Sequence, residues 1–84
     1  MFRGVVGQIK WAYYMAAAIN GYEVTRTDDG LRLRGTVIQH DAFKLTQRPL
    51  MFVAPTKLGE CRWPIETFEL HDGQITARLG PPVR

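Results

Sequence analysis

The sequence has a single cysteine, no long apolar run and no dense block of one charge. Each of these shortages closes off a class of protein. Cys61 stands alone among 84 residues, so no intrachain disulfide can form and a four-cysteine zinc site is excluded. No apolar stretch approaches the roughly 20 residues a membrane-spanning helix needs. A secretory signal is disfavoured as well. The apolar segment Trp11–Ile19 that follows Arg3 and Lys10 is short, lacks leucine and holds two tyrosines. The expectation is a cytoplasmic chain with a free thiol and no membrane contact.

What is present is ordinary for a globular domain. Apolar residues make up 45% and charged residues 23%, which argues against disorder. Eleven Lys and Arg against eight Asp and Glu leave a net charge of +3. Beyond residue 22 the cations are interleaved with acids, as on a solvated surface. A chain this short buries only about 60% of its unfolded surface. Self-association or a protein partner would therefore matter to its stability.

Turn signals come at short intervals: Asn20-Gly21, Asp28-Asp29-Gly30, Pro55 to Gly59 and His71-Asp72-Gly73. Short apolar runs between them predict a mainly β domain over residues 1–79. Its expected form is a small antiparallel barrel or meander of five or six strands with one or two short helices. Residues 80–84, with Pro81 and Pro82, read as an extended, exposed tail.

Centring a type I′ turn on Asp72-Gly73 pairs Leu70 with Ile75, Phe68 with Ala77, Glu69 with Thr76 and Thr67 with Arg78. A loop from Thr27 to Gly30 sets Val24 opposite Leu33, Arg26 opposite Leu31 and Glu23 opposite Arg34. Leu31 and Leu33 then point in, and Arg32 and Arg34 point out. Leu50–Ala54, between Pro49 and Pro55, reads as a strand buried on both faces. Asp41 caps a short helix or turn over residues 42–47, which Pro49 stops. Val5–Ile9 reads as a strand. The apolar odd positions from Val5 to Ile19 allow a strand through residues 12–20, whereas the alanines at 16, 17 and 18 favour a short helix there, and the helix is preferred. The core is expected to contain Val5, Ile9, Tyr13, Ile19, Val24, Leu31, Leu33, Val37, Phe43, Leu45, Leu50, Phe52, Ile65, Phe68, Leu70, Ile75 and Leu79.

No catalytic or metal constellation assembles. His40-Asp41, His71-Asp72 and Cys61 offer ligand types that zinc accepts, but at spacings that match no known site. The simpler reading makes Asp41 a cap and Asp72 a turn residue. Cys61 as nucleophile needs a histidine in reach. Arg62 beside it would lower the thiol pKa and Glu60 would raise it, and an apolar filler is the plainer role. Glu66 and Glu69 fall on opposite faces of their strand, so they do not pair as acid and base. Gly4-Val5-Val6-Gly7 lacks the spacing and lysine of a phosphate loop. Neither a cofactor nor a metal is expected.

The remaining signal is aromatic rings beside arginines. Trp, Tyr and Arg dominate protein–protein hot spots, and small β-barrels stack single-stranded bases on exposed rings near a basic groove. The candidate binding residues are Trp11, Tyr14, Arg32, Arg34, Arg62 and Trp63, with the two tryptophans as exposed anchors. The plain alternative is that most rings form the core. The function expected first is a non-catalytic protein-binding or structural module. A weak nucleic-acid-binding β-barrel comes second and an enzyme third.

The segment Arg48-Pro49-Leu50-Met51-Phe52-Val53-Ala54-Pro55, followed by Arg62-Trp63-Pro64-Ile65, resembles small uncharacterised proteins encoded by phages and prophages, over residues 11–82. The resemblance brings no catalytic residues with it. It implies a viral structural or host-interaction protein, located in the virion if phage-encoded.

Overall fold

The chain reverses where turn chemistry is strongest, at Asp28-Asp29 and Asp72-Gly73, and also at Ala12-Tyr13, where it is weak. The computed structural model describes residues 2–57 and 59–83, and of Phe2 the backbone alone. Six strands and one helix follow in the order β1 (Phe2–Trp11), β2 (Tyr14–Thr27), β3 (Gly30–His40), α1 (Ala42–Leu45), β4 (Leu50–Thr56), β5 (Gly59–His71) and β6 (Gln74–Leu79). All pairings are antiparallel, and the sheet closes in a ring ordered β1-β2-β3-β6-β5-β4. The expected mainly β fold is thus met, with six strands and a single short helix among the described residues. Two three-stranded meanders, β1–β3 and β4–β6, are linked by the segment carrying α1. They join along two seams, β3–β6 and β1–β4.

Both hairpins anchored on turn chemistry have the expected register. Leu70 pairs with Ile75, Phe68 with Ala77, Glu69 with Thr76 and Thr67 with Arg78. Val24 pairs with Leu33, Arg26 with Leu31 and Glu23 with Arg34. Asp72 and Gly73 both take positive φ, 51° and 75°, as a type I′ turn requires. Asp41 caps α1, its Oδ1 accepting from the backbone N–H groups of Phe43 at 3.0 Å and Lys44 at 3.2 Å.

Residues 12–20 are the main correction. They form a turn and then a strand, not a helix. Ile9 pairs with Ala17 and Lys10 with Met15, which leaves Ala16 as the extra residue of a bulge. Ala16, Ala17, Ala18 and Ile19 are buried in succession. α1 packs on β2 here, and the Asp41 N–H donates to the Ala16 carbonyl at 2.8 Å. Small side chains let α1 sit close to the strand, so packing overrides the helical preference of alanine. β4 also runs further than expected, because Pro55 lies within it, opposite Glu60 on β5. The tail is tethered to β5. The Gly80 N–H donates to the Pro64 carbonyl at 2.8 Å and the Val83 N–H to the Arg62 carbonyl at 2.7 Å, while residues 81–83 stay exposed.

The core is built around an aromatic column. Tyr22 meets Phe52 edge-on with ring centroids 5.1 Å apart, and Phe52 stacks on Trp63 at 5.6 Å. β1 makes room for it with two glycines. A Cβ at Gly7 would lie 2.6 Å from Phe52 Cζ, and one at Gly4 would clash with the hydroxyl end of Tyr22. Ile9, Ile19, Leu33, Leu50 and Ile75 close around the column. Leu31, Val37 and Phe68 are only partly buried against it. Val5, Tyr13, Phe43 and Leu70, expected inside, are exposed. Tyr13 sits in a turn, Leu70 lies next to one, Val5 sits where β1 leaves β4, and α1 is so short that Leu45 alone faces the core. Trp63 and Tyr22 fill the space instead.

Candidate functional site

The structure divides the six candidate residues among three places. Trp11 and Tyr14 form the last pair of the β1–β2 hairpin, their ring centroids 6.1 Å apart and tilted by 37°. Trp11 also lies opposite Leu50 on β4 and packs partly buried against the core. Its neighbours project outward: Tyr13 is 94% exposed and Tyr14 58%. α1 extends this surface. Lys44 Nζ lies 5.4 Å from the Tyr14 ring centroid, a cation–π contact, and Phe43 beside it is 67% exposed.

Asp41 holds this end together. It binds α1 through its cap, contacts Lys44 Nζ at 3.6 Å through Oδ2, and ties the segment to β2 through its own N–H. The Lys44 backbone N–H is the main reason the Asp41 carboxyl stays below its usual range. Desolvation, the next largest effect, opposes it, and the Lys44 charge and the Phe43 N–H add to the lowering.

Arg32 and Arg34 project from the outer face of β3, as expected, and both are exposed. Arg32 lies between Thr25 on β2 and Arg78 on β6, and Arg34 between Glu23 and Thr76. Directly opposed arginines repel, and Arg78 is drawn elsewhere. Its Nε lies 3.5 Å from Glu66 Oε1, and its Nη2 donates to the Asp29 carbonyl at 3.2 Å. Glu23, opposite Arg34 in the register, forms its ion pair with Arg3 instead, its Oε2 3.3 Å from Arg3 Nη2. The shallow hollow beside these arginines, of about 410 Å³, is lined by Arg32 and Arg78 but also by Asp29 and Glu69.

Arg62 is exposed on β5, 3.2 Å from Glu60 through its guanidinium. Trp63 is not an exposed anchor. It is 6% exposed and forms the end of the aromatic column. On β5 the outward neighbour is Arg62, so strand alternation turns Trp63 inward. Reading the rings from sequence missed Phe43 and Lys44 as parts of the surface. The available signal was the cap at Asp41 together with Pro49, which confine α1 between them to a short helix and leave most of its side chains outside.

Cys61 is half-buried against the core, opposite Ala54, while His40 lies opposite Ala17 and His71 opposite Gln74. Among the described residues no three His, Cys, Asp or Glu side chains come together as metal ligands. No helix of the described residues is long and apolar enough to cross a membrane. Comparison with known proteins finds no matching family model, curated protein or solved structure.

Proposed function

We propose that this chain is a non-catalytic protein-binding module that contacts its partner through the β1–β2 hairpin end and α1. The observation that carries the proposal is the exposure of Tyr13, Tyr14 and Phe43 at the end where Tyr14 rests against the anchored Trp11 and Lys44 of α1 meets the Tyr14 ring. Rings held by a packed base lose little side-chain entropy on binding and bury much apolar area, which is how interface hot spots work. A phage or mobile-element origin belongs to the same proposal and rests on the resemblance over residues 11–82.

The test compares capture from a nuclease-treated host lysate by the wild type and by a Tyr13→Ser/Phe43→Ser variant. Both changes are at exposed positions, so stability should move by no more than about 0.5 kcal/mol each. A protein retained by the wild type and lost by the variant supports the proposal, and equal capture by both refutes it. Light scattering at micromolar concentration shows whether the partner is a second copy.

A second reading has its own observation, the exposed arginines 32, 34 and 78 on adjacent strands. They would suit the phosphates of a nucleic acid, with the acids in the same hollow keeping affinity weak. Titration with single-stranded and duplex oligonucleotides at low and moderate salt decides this. An Arg32→Gln/Arg34→Gln variant should then bind all sequences more weakly and with a flatter salt slope. Absence of binding at low salt removes the reading.

A further inference from the structure

β1 is paired on both sides along only part of its length. On the β2 side pairing extends from Phe2 to Trp11, while on the β4 side it covers Gln8 to Trp11. Carrying the register Gln8↔Val53 on by two residues would place Val6 opposite Pro55. Proline brings a carbonyl but no N–H to a ladder. β4 continues to Thr56 paired with β5, and β1 does not follow it. The result is an open seam, a cleft of about 740 Å³ with Arg3, Gly4, Val5 and Val6 along one bank and Pro55, Thr56 and Lys57 along the other.

Val5 is 76% exposed and its neighbour Val6 43%. On a regular half-buried strand one of two adjacent residues faces the core; here neither does. Two exposed valines beside an open stretch of backbone are what an incoming strand covers. The charge of the cleft narrows the occupant. Its lining holds Lys57 and no carboxylate, and its other cation, Arg3, is already paired with Glu23. A second copy of this chain is a poor match, because β1 would bring Arg3 and Lys10 and no acid.

We propose that the open side of β1 takes up an extended peptide from a partner protein as an added strand. The peptide backbone bonds to the Gly4–Gly7 segment, its apolar side chains cover Val5 and Val6, and a flanking acidic residue meets Lys57. The site is at the far end of β1 from Trp11 and does not rest on the hairpin-end reading.

The test is selection from a random decapeptide display library on the intact chain, followed by titration of an enriched peptide into isotopically labelled protein. The expected peptides alternate β-branched residues and carry Asp or Glu at one flank. They should shift the backbone amide resonances of Gly4–Gly7 and spare those of Tyr13 and Phe43. Pro55→Val returns the N–H that lets β4 close onto β1, and should weaken binding by about tenfold or more. Lys57→Glu, at an exposed position, should weaken it as well and serves if Pro55→Val does not fold. The proposal is overturned if no peptide is enriched, if the shifts fall elsewhere, or if both variants bind like the wild type. A concentration-dependent dimer that shifts Gly4–Gly7 without peptide also overturns it, in favour of a second copy.

Discussion

The β5–β6 and β1–β2 hairpins each turn in two residues, and they arrive there differently. In β5–β6 the turn is Asp72-Gly73, both residues sit at positive φ, and both suit that region. In β1–β2 the turn is Ala12-Tyr13, and of the two only Ala12 has positive φ, at 54°. Alanine carries a Cβ that the left-handed region crowds. Its conformation is imposed from outside, by the Trp11–Tyr14 pair packed on the core and by α1 pinned to Ala16. One turn shapes its hairpin, whereas the other is shaped by the fold around it.

The contrast can be broken most severely at Gly73. Gly73→Val should cost about 1–3 kcal/mol, the scale of backbone strain at special positions. An unchanged urea midpoint would mean that this turn is not local in origin. At Ala12 the sign reverses. Ala12→Gly should stabilise the chain by up to about 1 kcal/mol by relieving the left-handed strain, and a lower midpoint would show that the alanine is at ease there. The smallest effect concerns the clamp. The Asp41 carboxyl is held below its ordinary value of 3.8 when folded. Its stabilisation is therefore complete above that value and is lost as pH falls through the folded pKa. The difference in Tm between the wild type and Asp41→Ala should shrink on acidification from about pH 5 to about pH 2. A constant difference would mean that the carboxylate charge plays no part in the clamp.

These cases show which parts of the fold were legible. Asp28-Asp29-Gly30 and Asp72-Gly73 state their turns in their own chemistry, so register, facing and the outward arginines of β3 followed from them. Asp41 and Pro49 marked α1 for the same reason. Residues 12–20 could not be read this way. Their conformation depends on a bulge at Ala16 and on a helix arriving from the other side of β3, and local propensity points the other way. The aromatics were legible as residue types but not as places. Trp63 stacks on Phe52, and Gly4 and Gly7 on β1 leave the room for the Tyr22 and Phe52 rings of the same column, a complementarity between residues far apart in sequence. Of the candidate surface, Trp11 and Tyr14 were found by their proximity, while Phe43 and Lys44 joined them only through tertiary contact.

The two seams that join the meanders are unequal. β3–β6 is zipped over six residue pairs and β1–β4 over four. Each joins residues remote in sequence, so neither is favoured over the other by a short connecting loop. Native-state breathing should therefore start at the shorter join, with the longer one acting as the spine of a hinge. Time enters the architecture at this point. Amide protons of Gln8–Trp11 that face β4 should exchange with solvent sooner than those of Leu31–Thr36 that face β6, making the ring a clasp with one worn side.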